Sequence, residues 1–82
     1  MTQREIKISK SILDTLHARD GKPMQEDDLF LAVHAVTECS HREFKAVLVI
    51  CDLRGWLTGV EGKFSGKLWD INAEGEIARL QL

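Results

Sequence analysis

Apolar positions recur at helical spacing through the first half of the chain and change to strand spacing after Gly55. Ile8, Ile12, Leu13 and Leu16 fall on one face, followed by His17, Arg19 and a Gly21 able to end a helix. The pattern predicts helix one over about Ser9 to Asp20. Its start has two alternatives, a Thr2/Glu5 capping box or a cap at Ser9. Gly21, Lys22 and Pro23 mark a turn, after which Met24 suits a short extended bridge. Glu26, Asp27 and Asp28 suit the positive end of a second helix, whose apolar stripe is Leu29, Phe30, Val33 and Val36.

The third segment has the sharpest boundaries. Ser40 and Glu43 form a capping box, in which the Ser40 hydroxyl accepts from the Glu43 amide and the Glu43 carboxylate reaches back. Phe44, Val47, Leu48 and Cys51 then share one face, and Arg54 followed by Gly55 supplies a stop. Ala46 to Cys51 also reads as a buried strand, being a continuous apolar run rich in β-branched residues. A capped start and a glycine stop that agree on the same boundaries favour a helix over about 41–54.

From Trp56 the period shortens. Trp56, Leu57 and Val60 precede Gly59, Glu61, Gly62, Lys63, Phe64, Ser65 and Gly66 or lie among them, and Lys67 to Ile71 follow, which predicts a β-hairpin over about 56–72. Trp69 and Ile71 share the face turned to the helices and Asp70 points away. Asn72 is placed to cap a last short turn or helix, from which Ile77 and Leu80 return to the core.

Helix, short extended piece, helix, capped helix, hairpin, then Trp69, Ile71, Asn72 and Gly75 together resemble the winged helix-turn-helix family over most of the chain. Asn72 stands where that pattern usually has Thr and can do the same capping. The resemblance implies an α+β fold: a three-helix core, a C-terminal hairpin wing and a short terminal turn or helix, in one domain over 1–82. It also implies a DNA-binding transcriptional regulator that reads double-stranded DNA with helix three and the wing. Carried over residue by residue, base or phosphate contact falls on His41, Arg42 and Lys45, and wing contact on Lys63 and Lys67. The plainer reading of each of these cations is a solvated surface charge.

One face of helix three departs from that pattern. Opposite Phe44 and Leu48 lie Arg42, Ala46, Val49, Ile50 and Leu53, so four of these five positions are apolar. A helix that reads base edges presents polar side chains there. Ala46, Val49, Ile50 and Leu53 therefore suggest a protein interface, either a homodimer or a docking surface, unless the wing and the C-terminal turn cover them.

Charge bears on the same choice. The chain has a net charge of -2 and a pI near 5.9, which argues against holding nucleic acid by bulk attraction. Basic residues gather in 1–22, whereas Glu26 to Glu38 holds four acids and no Lys or Arg. At 44% hydrophobic and 29% charged, the composition excludes a disordered tail. No apolar run reaches membrane length and no signal-peptide core follows Met1, so a complete small cytoplasmic protein is expected.

Cys39 and Cys51 fall in segments that read as helical and apolar, where a free thiol behaves as a small hydrophobe. With His34 and His41 they lack the close Cys pair of a zinc site, and no third group orients a Cys–His nucleophile. Gly59, Gly62 and Gly66 are not placed as a nucleotide loop and suit turns of the wing. Trp56 and Trp69 are expected to pack across the hairpin base. No cofactor, metal or catalytic residue is expected. The function implied is DNA binding, with a winged-helix protein-interaction module as the alternative.

Overall fold

The structure, a computed structural model, describes residues 1–64 and 66–82. Ser65, inside the expected hairpin turn, lies outside the described residues. Among the described residues the chain is α+β, with four helices and a three-stranded antiparallel sheet: α1 (Gln3–Ala18), β1 (Met24–Gln25), α2 (Glu26–Val36), α3 (His41–Leu53), β2 (Leu57–Gly62), β3 (Gly66–Ile71) and α4 (Ala73–Gln81).

Local chemistry sets most of these boundaries. At the start of α1 the Glu5 amide donates to the Thr2 hydroxyl at 3.1 Å and the Thr2 amide to the Glu5 carboxylate at 2.7 Å. This box, and not Ser9, begins the helix. Ser9 is fully buried inside it and accepts from the Cys51 thiol. The helix also ends earlier than expected, at Ala18, because the chain turns left-handed at Asp20, with φ 52°. At α3 the expected Ser40/Glu43 box is complete, and Gly55 leaves the helix at φ 77°, a conformation that favours glycine.

The two-residue bridge at Met24 is a strand of the sheet. It pairs antiparallel with β3, Met24 opposite Trp69, so β3 is central in the order β1-β3-β2. Across the hairpin Leu57 is opposite Ile71 and Gly59 opposite Trp69. Trp69 thus lies against a glycine and not against Trp56, which corrects the expected tryptophan packing. The ring fills that space, since a Cβ built at Gly59 would lie 3.0 Å from it.

The core forms where α1, α2 and α3 meet, around Ile12, Leu16, Leu29, Val33, Phe44 and Leu48, closed on one side by Trp69 and Leu57. Burying side chains of this size stabilises by roughly 1.5–3 kcal/mol each before entropy is counted. Val36 is an exception to the expected stripe, 77% exposed at the last turn of α2. Cys39 is buried as expected, but in the connection after α2 and not in a helix.

The last element is a helix capped as expected, the Gly75 amide donating to the Asn72 side chain at 2.9 Å. Its facing differs from expectation. Ile77 and Leu80 are 53% and 78% exposed, while Gly75 and Ala78 are buried. Close approach is the reason: a Cβ at Gly75 would lie 2.2 Å from the Trp56 carbonyl oxygen. Only small side chains fit beneath α4, so the bulky ones turn outward. Arg79 to Asp14 at 3.0 Å and Glu76 to His17 at 2.8 Å hold it on α1.

Candidate functional site

The start of α3 is fixed from both sides of the chain. Besides closing the capping box, Glu43 receives Arg4 of α1 through two N–H groups, and Arg4 also donates to the Glu38 carbonyl at 2.8 Å. The Arg4 hydrogen bonds, with those of Ser40, hold the Glu43 carboxyl down at about 2. The clamp sets the start of α1 beside one end of the outer side of α3, where Ala46 lines a cleft with Thr2, Arg4, Glu5 and Ile8.

On that outer side Arg42, Ala46, Val49 and Leu53 are exposed, Val49 by 48% and Leu53 by 81%, and Ile50 is half-buried. Neither the β2–β3 hairpin nor α4 covers Ala46, Val49 or Leu53. The sequence left coverage and exposure equally open, and exposure is what the packing produces.

The cations expected to contact DNA are distributed unevenly. His41 packs its ring edge-on against Phe30, with centroids 5.0 Å apart. Arg42 has no hydrogen-bond or ion-pair partner among the described residues. Lys45 donates to Glu26 at 2.5 Å, and the other oxygen of that carboxylate accepts from the Trp69 indole N–H at 2.9 Å. Lys67 lies over the Trp69 ring, 4.7 Å from its centroid, and Lys63 lies 5.9 Å from that of Phe64.

Lys45 and Lys67 are thereby brought to one open cleft of about 220 Å³, which Glu26, Asp27, Gln25 and Gly66 also line. Burial pushes the Glu26 carboxyl up, but hydrogen bonds from Lys45 and Trp69 outweigh it and keep it below the usual carboxylate range. Glu26 and Trp69 join α2, α3 and the hairpin, a role sequence reasoning did not assign to either. The acidic first turn of α2 was a visible signal, but its partner lies 43 residues away in sequence.

Among the described residues no three His, Cys, Asp or Glu side chains gather as a metal-binding group. His34 pairs with the Cys39 carbonyl at 2.8 Å, and Cys51 lies in the core against Ser9. Burial raises both thiols above their ordinary range, which opposes nucleophile chemistry. Among the described residues no helix is long and apolar enough to cross a membrane.

No protein-family model, curated protein or solved structure matches the chain.

Proposed function

We propose that this chain is a winged-helix module that works by protein association, with the outer face of α3 as its binding surface. The element order and the β2–β3 hairpin support the winged-helix reading, the hairpin standing where a wing stands. The observation that carries the function is the exposure of Ala46, Val49 and Leu53 on a helix whose inner face already supplies the core. Apolar side chains presented together on a rigid element favour a protein partner over phosphate or base edges. The two free cysteines suit a reducing compartment such as the cytoplasm.

A second reading, DNA binding through α3 and the wing, is favoured by one observation. Lys45 and Lys67 flank the same cleft, so a helix and a wing offer cations side by side. Glu26 and Asp27 line that cleft too, and their charge opposes a phosphate backbone. Titrating labelled protein with a mixed-sequence duplex at low salt tests the two. Association predicts no movement of the amide signals of His41, Arg42, Lys45, Lys63 and Lys67. Shifts at those residues that reverse on adding salt would replace it with the DNA reading.

A further inference from the structure

We infer that the occupant of this face is a second copy of the same chain, with α3 laid antiparallel against α3 across a twofold axis; this rests on the outer face of α3 being the association surface. Arg42, Ala46, Val49 and Leu53 follow one another by four, three and four residues, which is the seam of a paired helix. Along one edge of that seam stand Lys45 and Asp52, seven residues apart, opposite in charge and both exposed. Among the described residues the Asp52 carboxylate has no hydrogen-bond or ion-pair partner.

An antiparallel pair sets like edges of the two helices side by side, the first half of one against the second half of the other. Lys45 then meets the partner's Asp52, and symmetry repeats the pair. Lys45 keeps Glu26 while doing so, because its ammonium has three donors. Within the seam Ala46 packs against the partner's Val49, its small size permitting close approach. The Arg42 stem lies over the partner's Leu53 with its guanidinium in water. A parallel pair would instead set Lys45 beside Ile50 of the opposite edge, whose carboxylate, Glu43, lies two turns away and is held by Arg4. Thirteen residues of helix make a small interface, so association falls in the micromolar range.

Sedimentation velocity over a concentration series tests this, with circular dichroism and melting to show that each variant is folded. Wild type is expected to become a dimer at high micromolar concentration, and Val49→Asp to abolish that dimer. Asp52→Lys and Lys45→Glu should each weaken it by about tenfold or more. An equimolar mixture of those two variants should recover it, because every edge pair in the mixed dimer is again of opposite charge. Asp52→Lys changes an exposed position with no partner in its own chain, so its effect cannot be assigned to misfolding. A wild type that stays monomeric overturns the second-copy inference and leaves the association reading to the duplex titration. A dimer indifferent to Val49→Asp overturns both, since association then uses another face. Variants that mix without gaining mass overturn the antiparallel register.

Discussion

The two faces of α3 are similar in composition and opposite in fate. Phe44, Val47, Leu48 and Cys51 are at most 2% exposed, while Ala46, Val49 and Leu53, on the same thirteen-residue helix, face solvent. Hydrophobicity marks a surface that leaves water, but the neighbouring elements decide whether folding or association removes it. Here α1 and α2 cover one side, and Arg4 closes on Glu43 at the helix start without covering the other.

Mutation should separate the faces by size of effect. The largest loss is expected from the inner face, where Phe44→Ala leaves a cavity and costs about 3–5 kcal/mol in urea denaturation. Next comes the close approach beneath α4, where Gly75→Ala drives a methyl onto the Trp56 carbonyl and should cost about 1–3 kcal/mol, with α4 displaced. An effect of that order confined to the inner side would sharpen the contrast. Ser40→Ala removes the cap of α3 and should cost about 1 kcal/mol, read from thermal melts.

Acid should act at the same end of the helix. The Glu43 carboxyl is depressed when folded, so its contribution is complete above the ordinary carboxylate range, near 4.5, and is lost as pH falls toward about 2. Melting temperature followed through that window should fall more steeply in wild type than in Glu43→Gln. The smallest change belongs to the outer face. Leu53→Ser, measured at concentrations too low for association, should alter stability by no more than about 0.5 kcal/mol. A loss as large as that of Phe44→Ala would abolish the distinction between the faces.

Local chemistry was the legible part of the sequence. The Ser40/Glu43 box, the Asn72 cap, the Gly55 stop and the β2–β3 hairpin each depend on residues a few positions apart, and each stands as read. Thr2 against Ser9 was an open choice because both are good caps, and the reciprocal Glu5 bond decided it. Long-range packing was not legible. The inward face of α4 is chosen by a carbonyl belonging to Trp56, so Ala78 displaced Ile77 and Leu80 from the core despite lower hydrophobicity. The outer face of α3 was readable as apolar, but its exposure depended on where the β2–β3 hairpin came to rest. Lys45 and Lys67 looked like independent cations until Glu26 and Trp69 drew them to one cleft.

The carboxylate shared by Lys45 and Trp69 gives the molecule an optical gauge of its own assembly. Trp69 is buried, its indole N–H is held by Glu26 of α2, and an ammonium stands over its ring. The wavelength and yield of indole emission follow local charge and hydration. Any event that separates the hairpin from the start of α2 therefore writes itself into Trp69 fluorescence, and Trp56→Phe leaves that signal alone.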